Sequence, residues 1–174
     1  MRLLLCPDKF AGTLSAPEVA AAVAEGWRDV APGDELLLRP LADGGPGFVE
    51  VLADALGGRR LPVPTVDPLG RPATGEILLT DDGTAYLESA QACGLHLLSD
   101  AERDPKATTS YGLGLLVTAA VEAGARTVVV GLGGSATNDG GAGMLVPLGV
   151  TPLDDAGRAL PVSDTHLRAH ETRS

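Results

Sequence analysis

The sequence predicts an α/β fold. It is a Rossmann- or flavodoxin-like parallel sheet with helices on both faces, plus a small antiparallel β patch belonging to a second lobe. Three observations predict it. Within residues 1–58 an apolar run, a glycine-containing loop and a helical pattern follow one another twice, the order of chains that build largely parallel sheets. After residue 105 a helical pattern leads into the apolar run Thr127, Val128, Val129, Val130 and then a stretch with six glycines in residues 131–143. Between them, strand-like runs over residues 61–87 alternate with turn signals at Asp67-Pro68-Leu69-Gly70 and Asp81-Asp82-Gly83. The expected division is one α/β lobe from residues 1–58 and 105–162, a β-rich piece of a second lobe from 59–104, and a foreign tail at 163–174.

Each element has its own reason. Residues 3–6 form an apolar run stopped by Pro7, which reads as a buried strand. Ser15 and Glu18 have the spacing of a capping box, and Pro17 is tolerated in a first helical turn. Val19, Val23 and Val30, with Trp27 beside them, mark the expected inner face of that helix, and Pro32-Gly33 ends it. Residues 36–38 read as a second buried strand, and residues 48–56 as a helix closed by Gly57-Gly58. Leu113, Leu116, Val117, Ala120 and Val121 follow a helical stripe within 109–124, with Gly124 as the stop. Residues 127–130 are the clearest buried strand, and 144–148 an apolar segment suited to a helix. The tail holds His166 and His170, and its composition does not match the rest.

Composition narrows the function classes. Apolar residues are 44% and charged residues 21%, so the chain can build a core. Aromatics are 3%, which leaves that core to Leu, Val and Ala. The formal charge of −10 argues against nucleic-acid and membrane-surface partners. Cys6 and Cys93 are too few for a disulfide framework and read as buried thiols, which fits a cytoplasmic setting. No stretch nears the roughly 20 apolar residues of a membrane span.

The glycine-rich stretch carries the strongest chemical signal. Glycines after a strand bring backbone amides close to a ligand, and such amides hold anions. Ser135, Thr137 and Asn138 add short donors, and Asp139 is the acid that can hold Mg²⁺ or take a proton. Two further glycine-containing loops follow strands at residues 8–12 and 42–47. In an open parallel sheet such loops share one rim. Asp8, Asp43 and Asp139 are therefore expected to converge there, with Lys9 as a point charge for a phosphate or carboxylate. The cluster Thr108, Thr109, Ser110 either caps the next helix or binds an oxyanion.

Four blocks then resemble, in order, the bacterial glycerate kinase family. They are Pro7-Asp8-Lys9-Phe10 through Gly12-Thr13-Leu14-Ser15, Ala42-Asp43-Gly44-Gly45, Thr109-Ser110-Tyr111-Gly112, and the long run from Gly133 to Gly143. The resemblance covers residues 1 to about 162. It implies two α/β lobes with a cleft, ATP and Mg²⁺ as cofactors, and glycerate phosphorylated to 2-phosphoglycerate. It implies Asp139, or Asp43, orienting or deprotonating the attacking hydroxyl, with Asp139 also the candidate metal ligand. It also implies Asp8 and Lys9 beside the chemistry, and Gly133, Gly134, Ser135, Thr137, Asn138 and Gly140 on phosphate. Ser110 and Tyr111 would then meet the substrate. The chain departs from the family where Lys is common at Ala11, a small polar residue at Lys9, and Glu at Pro46 and Leu115. Members are longer, so the C-terminal half of the parent enzyme is expected to be missing. A non-catalytic nucleotide- or anion-binding module, or an inactive truncated fragment, stands as the alternative.

Overall fold

The structure, a computed structural model, describes residues 1–159. The expected tail at 163–174 lies outside them. The fold is mixed α/β with parallel strand pairs, and the sheets of the described residues form no barrel.

Strands β1 (Arg2–Leu5) and β2 (Glu35–Leu38) pair in parallel, joined by helix α1 (Ala16–Val30). The predicted capping box is present: the Glu18 carboxylate accepts from Ser15 N, and Glu18 N donates to Ser15 Oγ. The buried face of α1 differs from the expected one. Ala16, Val19, Ala20 and Ala24 are buried, whereas Val23 is exposed and Val30 is 87% exposed. Small alanines let the helix lie close on its strands, so size alone misjudged the stripe. Helix α2 (Phe48–Leu56) has the predicted limits.

The second sheet has the order β3 (Arg59–Val66), β4 (Pro72–Leu79), β5 (Thr84–Glu88) and β6 (Thr127–Gly131). β3–β4 and β4–β5 are antiparallel, with turns where the Asp67 and Asp81 signals stood. β5 and β6 are parallel, connected through the short α3 (Ala90–Cys93) and α4 (Tyr111–Glu122). Strand pairing therefore groups the chain differently from the expected division. Residues 127–131 join the sheet of residues 59–88 instead of extending β1–β2. The reason is a shared apolar face. Ile77, Leu79, Ala85 and Leu87 point to one side with Val128 and Val130, and Leu113, Leu116 and Ala120 of α4 close over them. Leu78 and Tyr86 have the opposite parity, and Phe48 of α2 meets Tyr86 edge-on at 6.4 Å. Helices thus cover both faces of the mixed sheet.

Three strands read as buried are only half so. Leu4 is 59% exposed, β2 is half-covered and Val129 of β6 is exposed. Cys6 is also exposed, at the end of β1, while Cys93 is buried. No helix among the described residues is long and apolar enough to cross a membrane.

Candidate functional site

Both parallel pairs end on the same rim. Their C-terminal ends release the loops after β1, β2, β5 and β6, the place where open α/β sheets bind ligands. The first two loops are tied by the Leu41 amide donating to Pro7 O at 2.9 Å. Lys9 Nζ then reaches Asp43 Oδ1 at 2.8 Å and lies 3.7 Å from Asp8 Oδ1. Asp8 also accepts from the Lys9 amide, and Asp43 from the Gly45 amide at 2.8 Å. The Asp43 bond holds the Lys9 ammonium above its ordinary pKa, and the Lys9 bond holds Asp43 below its own. Both stay charged at neutral pH. A cleft of about 280 Å³ opens beside Lys9, walled by Phe10, Thr13, Ser15 and Glu50.

The loop after β6 packs on this pair backbone to backbone. A Cβ at Gly133 would lie 2.7 Å from Gly45 Cα, so only glycine permits the approach. Part of the glycine signal is therefore loop-on-loop packing. Gly140 is different: its φ is +62° and nothing lies within 4 Å of its missing side chain, so it turns the chain in open space.

Glu88, at the end of β5, braces the same rim and went unseen in the sequence. It is buried, and its Oε2 accepts from the Gly47 amide at 2.9 Å, with the Phe48 and Val49 amides also turned to it. It caps α2, whose own N-cap Gly47 has no side chain to do so. Burial pushes its carboxyl up, and the amide bonds and Gln91 oppose that only in part. An acid ending an apolar strand was the available signal.

Asp139 sits in a second cluster. Its Oδ2 accepts from the Ser110 amide at 2.7 Å, Ser110 Oγ at 2.8 Å, Thr109 Oγ1 at 3.4 Å and the Gly143 amide at 3.1 Å. Its Oδ1 accepts from the Gly141 amide at 3.0 Å. Burial pushes this carboxyl up, but the Ser110 and glycine donors outweigh it and hold it below the ordinary value. Ser110 Oγ also accepts from the Met144 amide. Ser110 is thus engaged within the protein, and Tyr111, half-buried, opens α4. The described residues contain no group of three or more His, Cys, Asp or Glu placed to hold a metal ion. Asp8 and Asp43 meet at Lys9, while Asp139 lies apart from them with both oxygens engaged by Thr109, Ser110, Gly141 and Gly143.

Between the loop after β6, α3 and α4 lies a cleft of about 350 Å³. Ser135, Thr137, Asn138, Asp139 and Gly140 form one wall, and Leu113 and Met144 another. No hydrogen bond ties the Ser135 or Asn138 side chain to another described residue, so these donors face the cleft unspent.

The rim of this mixed α/β domain thus carries a lysine–carboxylate pair beside a glycine-rich, donor-lined cleft. Comparison with known proteins gives the domain a family. The sequence pattern of the glycerate kinase family matches residues 3–173, and the chain belongs to that family. The match extends into the segment at 163–174. A glycerate kinase of Bacillus subtilis is 45% identical over 158 residues, which are 90% of this chain and 41% of that protein. Glycerate 2-kinase of Escherichia coli is 41% identical, over 92% of this chain and 42% of that protein. A crystal structure from Salmonella typhimurium LT2, itself named provisionally as glycerate kinase 2, superposes with a TM-score of 0.77. It is 42% identical and covers 92% of this chain and 43% of its own. The chain spans less than half the length of these relatives.

Proposed function

We propose that the chain is the N-terminal part of an enzyme that transfers the γ-phosphoryl group of ATP to glycerate, giving 2-phosphoglycerate. The observation that carries this reading is the Lys9–Asp43 pair, whose Asp43 sits on a loop packed directly against Gly133. A cation and a hydroxyl-orienting carboxylate then stand beside the donor-lined cleft.

Phosphoryl transfer asks a protein mainly for position and for opposite charge. Asp43 accepts the hydrogen bond of the attacking hydroxyl and fixes its direction. Lys9 offsets the negative charge on the moving group, and Asp8 steadies Lys9 through its amide. Ser135, Asn138 and the backbone from Gly133 to Gly140 take phosphate oxygens. Asp139 keeps that loop in shape through Ser110, Gly141 and Gly143. Mg²⁺ would be held mainly by the nucleotide phosphates, where it would offset their charge. A cytoplasmic setting goes with the use of ATP.

A second reading for the chain alone is a nucleotide- or anion-binding module, which the donor-lined cleft favours.

Mixing the full-length gene product with ATP, Mg²⁺ and glycerate tests the first reading. Release of ADP and a phosphorus signal coupled to the glycerate C2 proton are expected. No ADP release, or phosphate on the C3 hydroxyl, would remove the reading or its product. The same assay on the 174-residue chain separates turnover from binding.

A further inference from the structure

Folding leaves the Ser89 hydroxyl buried without a partner. Ser89 is 2% exposed, and its Oγ makes no hydrogen bond among the described residues. Its backbone is fully used. The amide donates to Gly131 O at 3.0 Å, and the carbonyl accepts from the amides of Ala92 and Cys93 at 3.1 and 2.7 Å. The residue is therefore held in place with its side-chain bond unmade, and it is one of those lining the cleft with Ser135 and Asn138. A buried hydroxyl without a partner is unfavourable, and folded proteins hold few of them. Alanine at 89 is smaller by that one hydroxyl and would leave no polar atom unpaired.

The chemistry of the cleft says what would complete the bond. No lysine or arginine lines it, and its carboxylate, Asp139, is already met by five donors. Next to Ser89, burial pushes the Cys93 thiol up to about 11, with the Asp139 charge adding to it, so it stays neutral. Beside that spent carboxylate, the hydroxyls of Ser89, Ser135 and Thr137 and the Asn138 amide are the groups able to donate to a ligand oxygen. We infer that Ser89 is a ligand-binding residue that donates its hydroxyl to a carboxylate or phosphate oxygen in this cleft. Only the name of the ligand rests on the kinase reading.

The test is Ser89→Ala in the full-length gene product, with affinity for glycerate, ATP and inorganic phosphate measured by calorimetry, and melting followed with and without each. The variant should melt, unliganded, at or above the wild-type temperature, because it loses an unsatisfied group. It should bind one probe about tenfold more weakly, the size of one hydrogen bond to a charged partner. A loss confined to glycerate assigns the oxygen to a carboxylate, and a loss for ATP or inorganic phosphate assigns it to a phosphate. Ser89→Cys, which keeps the size and weakens the donor, should give the same pattern. Unchanged affinity for all three probes would overturn the inference and leave Ser89 with water alone. So would a lower melting temperature without ligand, or a wild type that binds none of the probes. A wild type that binds phosphate through Ser89 yet transfers none would sink the kinase reading and leave this one standing.

Discussion

Asp43 and Asp139 sit on neighbouring loops of one rim, and the protein treats them in opposite ways. Asp43 is 62% exposed in its side chain, held by one ammonium and one amide. Asp139 is half-buried and met by donors from Thr109, Ser110, Gly141 and Gly143. A carboxylate ringed by its own backbone organises structure. One held by a single lysine and one amide, with most of its side chain in solvent, stays open to an incoming molecule. Charge at a site is thus not a measure of its role, and the identity of the donors is.

That contrast can be broken most sharply at Asp139. Asp139→Ala strands the Ser110, Gly141 and Gly143 amides, which should cost about 2–4 kcal/mol and lower turnover roughly 100-fold or more. Urea unfolding and steady-state rates would show both losses together. Rates near normal would remove Asp139 from the site altogether. Its share of stability is present above the ordinary Asp value of 3.8 and fades as pH falls through the lower native value.

Lys9→Met should do the reverse. Turnover falls about 100-fold, as for other groups that meet transition-state charge, while the melting temperature moves little because the partner Asp43 stays largely in solvent. A large drop in melting temperature would place Lys9 among the organisers and erase the distinction.

Gly133→Ala addresses the contact between the two regions. The added methyl meets Gly45 and should cost about 1–3 kcal/mol, with turnover reduced roughly tenfold. Retained rate with reduced stability would mean that the two loops work independently.

The smallest effect belongs to Glu88. Its native pKa is raised, so the folded state holds its proton longer than the unfolded state does. Stability should therefore decline as pH rises from the ordinary Glu value of 4.5 through the higher native one. Glu88→Gln should flatten that decline, and an unchanged pH profile would deny the burial that causes it.

The sequence carried local structure well and long-range pairing poorly. Ser15 and Glu18 announced α1, and Gly57 closed α2 at the right residue, because caps and stops are set by near neighbours. The strand after Arg126 was legible, but its partner was not. An apolar run shows that a face will be covered and does not say by which strand. For the site, Lys9 stood out as one of two lysines, and Asp43 as an acid directly before Gly44-Gly45. Glu88 and Ser89 did not, because they acquire meaning only when β5 brings them under a loop more than forty residues away in sequence.

The absence of any side chain between Gly45 and Gly133 also has a mechanical consequence. Elsewhere in a protein, rotamers act as springs that absorb small displacements between neighbouring segments. Here main chain bears on main chain, so a shift of the Lys9 rim is passed undamped to Ser135. The two loops should move as one rigid lever, with the Gly45 and Gly133 amides sharing a single exchange rate in relaxation measurements. Two distinct rates would show slack in the joint.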